Sequence, residues 1–249
     1  MTQTGHSLGP HLVEEEESYF VSMTDMMVGI IFIFVILLMT FALSYREAEE
    51  VRQEKVEQLQ AVEDAKREIL EDIQESLEKV GIKVIIDVQN GILHLPEEIL
   101  FPSGSAQLNV QGRQSLGYLA SALAQVIPCY ASGSARLTTA SCEGRANAKL
   151  DAIFVEGHTD DVPVRTDSPY KDNCDLSAQR AIETYKQLVA IDDSLDELLK
   201  DNEQKLFSVS GYGEFRPREP NETDESKALN RRNELRFLMK TPRPDDHDD

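Results

Sequence analysis

The sequence predicts an α+β protein built in series: an N-terminal transmembrane helix, a helical connector, and a C-terminal domain with helices packed on a mixed β-sheet. Three observations carry this. Met26–Leu43 (MMVGIIFIFVILLMTFAL) contains eighteen residues without a charge. The stretch 46–80 is rich in Glu, Gln, Lys and Arg and holds neither Gly nor Pro. Beyond Gly81, strand-like and helix-like segments alternate, the pattern of helices covering a sheet. The expected order is an acidic tail over 1–20, the membrane helix over 21–44, the connector over 45–80, the folded domain over 82–240 and a second acidic tail over 241–249.

The membrane helix comes first. Eighteen apolar residues, extended by Val21–Thr24 and Ser44, are long enough to cross a bilayer at about 1.5 Å per residue. A cleaved signal peptide fits poorly. The preceding region is acidic, and no small-x-small site follows before Arg46. Asp25 stands at the start of the apolar run. An ionised carboxylate facing lipid costs ~2.5–3.5 kcal/mol at mid-helix and less near an end. It escapes by facing a polar cavity of a partner or by taking up a proton, and keeping an acid from water favours the protonated form. Ser22, Asp25 and Gly29 share one helix face, small and polar enough for another helix to approach closely. Two readings of Asp25 stand level on these residues alone: a proton carrier, or an interfacial acid that ends the span.

In the connector, Leu59, Val62, Ile69, Ile73 and Val80 recur at helical spacing, interrupted by Lys66 and Ser76, and Gly81 is the expected stop. An amphipathic helix of this kind pairs with itself as a short coiled coil, packs on the following domain, or stands as a solvated stalk.

In the domain, Ile82–Val88 and Ile92–Leu95 read as strands split by an Asn-Gly turn. Asn109–Ile127 and Leu176–Leu199 read as helices, and Ala152–Glu156, Lys205–Gly211 and Glu234–Met239 as strands. Pro128–Leu150 lacks periodicity and reads as an insertion.

Composition narrows the function. The chain carries 25 Lys and Arg against 45 Asp and Glu, a formal net charge of −20. This argues against binding nucleic acid through its phosphates and against docking on anionic lipid. The runs Glu14–Glu17 and Asp245–Asp249 read as solvated tails. Three cysteines leave at least one outside any intrachain pairing. Cys129 and Cys142 flank a Ser/Gly/Ala/Thr-rich stretch, and a disulfide closing it is one of two open outcomes if the domain faces an oxidising compartment. The cysteines and His158 lack the spacing of a zinc site. No phosphate loop, nucleophile elbow or H-E-x-x-H helix is present, and Asp160 and Asp161 are adjacent rather than spaced as an acid/base pair. An enzyme is not expected, and no cofactor is implied.

Five motifs then occur in order: FPSGSAQL (101–108), VEGHTDD (155–161), NCDLSAQRA (173–181), GYGEFRP (211–217) and NRRNEL (230–235). Together, over about 82–240, they resemble the OmpA-like C-terminal domain shared by the peptidoglycan-associated lipoprotein and MotB. Residues 19–43 resemble the transmembrane segment of MotB-type stator subunits. SMTDMMVGIIFIF resembles more closely the ZorB family, the MotB-like subunit of Zorya anti-phage defence. The tail before it lacks the basic residues and Trp usual in flagellar MotB. The resemblance implies that Asp25 carries a proton, and that Asp160 meets the ammonium and Arg180 a carboxylate of diaminopimelate in peptidoglycan. A zwitterion asks for one fixed anion and one guanidinium fork. Thr159, Asn173 and Leu176 match pocket-shaping positions. Arg232 matches a supporting position, with a structural ion pair as its alternative. For Asp160 and Arg180 the alternative is a salt bridge across a loop–helix junction, and for His158 the expected role is packing. Implied partners are a MotA-like ring protein of the ZorA type, pentameric, a second copy of this chain, and peptidoglycan. Arg46, Arg52 and Lys55 beyond the helix conflict with an inside N-terminus by charge bias. The extracytoplasmic ligand implied for the domain overrules that bias, placing the N-terminus in the cytoplasm and the domain in the periplasm.

Overall fold

The computed structural model describes residues 13–132, 142–145, 148–200 and 202–241, with side chains from Met23 onward. The terminal tail beyond Thr241 and most of the stretch between Cys129 and Cys142 lie outside the described residues. The chain divides into two units, Met1–Val56 and Glu57–Asp249.

The first unit is helical, formed by the N-terminal part of α1 (Val13–Glu78). The helix begins inside the stretch expected to be a tail. Glu is a good helix former, and acidic residues favour a helix N-terminus, so Glu14–Glu17 extend the helix instead of ending it. Large apolar side chains from Met26 to Leu43 point outward on every side, from 46% exposed at Ile36 to 69% at Phe41. A helix apolar all round and of this length is suited to lipid. Its hydroxyls turn inward: Thr40 Oγ1 donates to Leu37 O and Ser44 Oγ to Thr40 O, both at 2.9 Å. No backbone or hydroxyl group there needs water.

The second unit starts at Glu57, earlier than the expected boundary at 82. The reason is packing. Ala65, Ile69, Leu70, Ile73 and Leu77 of α1 are buried in the core of the sheet domain. Packing on the domain is therefore the outcome for this half of the connector. Leu59 and Val80 stay exposed. The helix ends at Glu78, and Gly81 adopts φ +80 while its N–H bonds Glu78 O.

A five-stranded sheet follows, ordered β1-β2-β5-β3-β4. Its strands are β1 (Ile85–Asp87), β2 (Ile92–Pro96), β3 (Leu150–His158), β4 (Phe207–Gly211) and β5 (Arg232–Met239). All neighbours are antiparallel except β3 and β4. The Asn-Gly signal marks the β1–β2 turn, with Gly91 at φ +69. The helices are α2 (Glu97–Leu100), α3 (Val110–Val126), α4 (Asn173–Ile191), α5 (Ser194–Glu197) and α6 (Asp224–Asn230). Asn109 caps α3 through Gly112 N at 2.6 Å, and Asp172 caps α4 through Asp175 N at 2.8 Å. The single helix expected over Leu176–Leu199 is two. The Asp192 carboxylate binds Ser194 N and Oγ at 3.1 and 2.6 Å, a local turn that competes with helix.

After α3, a 3-10 turn (Ile127–Cys129) opens the insertion. Cys129 and Cys142 are joined by a disulfide with Cα atoms 5.4 Å apart, and Cys174 is free. The insertion also reaches α1: Tyr130 Oη donates to Glu68 at 2.7 Å and Arg145 Nη1 to Asp72 at 2.5 Å. Closing a loop of 13 residues restricts the unfolded chain by about 3 kcal/mol in the chain-entropy description. Cys129→Ser is expected to lower the thermal midpoint of the detergent-solubilised chain, and reductant is expected to do the same to wild type. Identical melts with and without reductant contradict this.

Candidate functional site

The candidate site forms where β3 runs out against α4, α2 and the segment entering β5. Thr159 follows β3 directly, and its N–H donates to Gly213 O at 3.0 Å. Its hydroxyl is buried with no hydrogen-bond partner among the described residues. Asp160 comes next. Its Oδ1 accepts from Val162 N at 3.1 Å and its Oδ2 from Arg231 Nη1 at 2.8 Å. Asn173, in the first turn of α4, donates to Asp160 O and Val162 O at 3.3 and 3.1 Å. Leu176 is buried one turn on, and Arg180 another.

Asp160 and Arg180 do not bond each other. Two residues that sequence reasoning missed stand between them. Arg231 Nε lies 3.0 Å from Glu97 Oε2, and Glu97 Oε1 pairs with Arg180 Nη2. The order Asp160–Arg231–Glu97–Arg180 alternates in charge. Arg180 is 2% exposed, Glu97 4% and Asp160 7%. Arg180 Nε also donates to Ser105 O at 2.8 Å, and its guanidinium lies 5.5 Å from the Phe101 ring centroid. Ser105 is held over it by its neighbour: Ala106 N–H donates to Tyr170 Oη at 2.8 Å. Burial pushes the Glu97 carboxyl up against the pull of both guanidiniums, and burial pushes Arg180 down.

Arg232 belongs to a different cluster. In the NRRNE motif it is Arg231 that reaches Asp160, while Arg232 Nε donates to Glu234 Oε1 at 2.5 Å. Arg232 is thus held in an ion pair with Glu234. Asn230 shapes the loop ahead of both arginines. It is fully buried, accepts from Arg218 N and Glu219 N, and donates to Glu219 O and Asn221 Oδ1, using all four bonds an amide side chain offers.

The second cluster lies on the sheet. Glu156 and Glu234 face each other across β3 and β5, a costly pairing for like charges. Arg236 offsets it, with Nη2 at 2.8 Å from Glu156 and 3.4 Å from Glu234. His94 Nδ1 is 3.0 Å and His158 Nε2 3.5 Å from Glu234. His158 is buried and stacks on Tyr212 at 5.3 Å, a packing position. Glu156, His158 and Glu234 bring donor atoms within 4.8 Å of one another. Arg232 and Arg236 already supply the positive charge there, so the set suits two guanidiniums better than a metal ion.

Burial alone raises the Glu234 carboxyl, but the close approach of His158 and His94 and the charge of Arg232 outweigh it and hold it well below the usual carboxylate range. Burial pushes His158 below its ordinary value, with Glu234 opposing. The unfolded chain, with His near 6.5, therefore binds that proton more readily than the fold. The contribution of His158 to stability is complete above about pH 6.5 and declines as pH falls below it. Glu234 acts in the same direction from about pH 4.5 downward. The thermal midpoint is expected to drop between pH 7.5 and 5.5, and a flat profile contradicts this.

No family model matches the chain. It is similar to Motility protein B of Bacillus subtilis (strain 168), 36% identical over 86 residues. That stretch is 34% of this chain, and the match spans 30% of the relative's length. Among solved structures, a MotB-like protein from Desulfovibrio vulgaris aligns with 72% of this chain and 97% of its own at TM-score 0.52 and 23% identity. The periplasmic domain of Helicobacter pylori MotB (residues 78–256) aligns with 60% of this chain and 76% of its own at TM-score 0.43 and 25% identity. The Desulfovibrio likeness shows the fold: helices on a mixed five-stranded sheet, as in that MotB-like protein.

Proposed function

We propose that this MotB-like chain is the proton-carrying and wall-anchoring subunit of an ion-driven rotary motor in the inner membrane, serving anti-phage defence of the Zorya type. One observation carries the reading. A helix apolar on every side, with the carboxylate of Asp25 at the start of its uncharged run, shares a chain with a domain of MotB-like fold. The helix suits lipid, the acid suits a proton relay, and the domain suits an anchor. Two copies sit within a ring of MotA-like partner chains, five by resemblance. The N-terminus lies in the cytoplasm and the domain in the periplasm. Asp25 of each copy takes up and releases protons moving inward, and each charge crossing 100 mV releases ~2.3 kcal/mol. The domain holds peptidoglycan through Asp160 and Arg180, so torque passes to the ring. The chain is a mechanical and conducting part rather than an enzyme.

The similarity to Motility protein B favours one alternative, the same machine in a flagellar motor. A host deleted for this gene, with and without its return, separates the two when phage plaques and swimming are scored in parallel. Lost protection with normal swimming fits defence, and lost swimming fits the flagellum. Failure of the full chain to sediment with purified sacculi removes the anchor.

A further inference from the structure

We infer that Glu97 and Arg231 are a built-in counterpart of the zwitterionic ligand, holding the wall site closed until an incoming ammonium and carboxylate displace them together. This rests on the reading of Asp160 and Arg180 as the ligand's contacts. Neither is available as the site stands. Asp160 Oδ2 is taken by the Arg231 guanidinium at 2.8 Å and Arg180 by the Glu97 carboxylate, so each carries the kind of charge the ligand would bring. The substitution is complete in sign and in order. Arg231 stands where an ammonium would sit on Asp160, and Glu97 where a carboxylate would sit on Arg180.

Charge balance makes the exchange feasible. Removing one member of a buried pair strands the other at high cost. Here the two surrogates are already paired with each other, Arg231 Nε to Glu97 Oε2 at 3.0 Å. Their backbones are tied as well, Glu97 N–H donating to Arg231 O at 3.1 Å. They leave as one neutral unit, and the ligand's two charges take their places, with no ion left alone. Arg231 offers the starting point, because its side chain is 28% exposed while Glu97 is 4% exposed. The Ser105 carbonyl on Arg180, clasped through Ala106 and Tyr170, is the second contact to yield. A ligand carrying only one of the two charges strands a partner and is rejected, so the device selects for zwitterions.

The test measures binding of meso-diaminopimelate, and sedimentation with sacculi, for the full chain in detergent. Glu97→Gln keeps an acceptor for Arg180 but removes the competing charge, and Arg231→Gln frees Asp160. Affinity scales with the open population, so a site open only one-tenth of the time gains about tenfold when either variant opens it. Tighter binding by both supports the inference. Equal or weaker binding at an unchanged melting temperature overturns it, making the pair a brace for Arg180. If Glu97→Gln does not fold, the partly exposed Arg231→Gln decides alone. If wild type and both variants all fail to bind sacculi and diaminopimelate, the wall-binding reading falls and this inference with it.

Discussion

Asp25→Asn is expected to abolish protection in the plaque assay, reducing it to the level of the gene deletion, while membrane insertion, abundance and sedimentation with sacculi stay at wild-type levels. Asn matches Asp in shape and still forms hydrogen bonds, but it has no proton to give or take near neutral pH. The substitution also removes a charge from the edge of the apolar run, so insertion becomes easier, not harder. A loss of function therefore cannot be charged to misplacement of the helix. A passive tether predicts the opposite, since its wall grip and its anchor are both intact in the variant. Full protection by Asp25→Asn removes the motor and leaves the tether.

Gly157→Ala is expected to be the most damaging single methyl in the sheet domain. Gly157 lies in β3 beneath α4, and a Cβ there would stand 2.0 Å from Ser177 O and 2.8 Å from Ser177 C. Those are backbone atoms of a helix, so no rotamer relieves the clash. Either α4 lifts from the sheet or the domain does not form. Overpacking a core commonly costs about 1–3 kcal/mol, and a backbone collision belongs at or above the top of that range. The site goes with it, because Asn173 and Arg180 sit about one turn to either side of Ser177. The measurement is the yield and thermal midpoint of the detergent-solubilised chain, with Gly117→Ala, where a Cβ meets nothing within 4 Å, as the matched control. Equal midpoints for the two variants refute the account.

Local signals in the sequence served where structure is set locally. The Asn-Gly turn fixed the β1–β2 hairpin, Asn109 marked the start of α3, and apolar spacing found the buried face of α1 at Ile69 and Ile73. That spacing left open what would cover the face, since periodicity reports a buried stripe and not its partner. The site was half legible. Asp160 and Arg180 stood out because a known motif surrounds each. Glu97 did not: it lies 83 residues from Arg180, in a four-residue helix opened by Pro96, and no local pattern encodes such a pairing. Arg231, beside Arg232 in the NRRNE motif, was missed for a related reason. Adjacent residues point in opposite directions where a strand begins, and the sequence does not say where β5 starts. It starts at Arg232, two residues before the expected Glu234, so Arg232 lies in the strand with Glu234 while Arg231 belongs to the segment before it.

The position of β5 has a consequence for how the chain is made. Among the described strands, the one made last is the middle one of the sheet, bonded to β2 on one side and β3 on the other. Until Arg232–Met239 emerges, the earlier strands exist only as a hairpin and a two-stranded parallel pair, each marginal alone. Assembly of the sheet must therefore wait for Arg232–Met239 and close in one step over long sequence separations, which favours slow folding. A product halted before Arg232 lacks the seam that joins the two halves of its sheet.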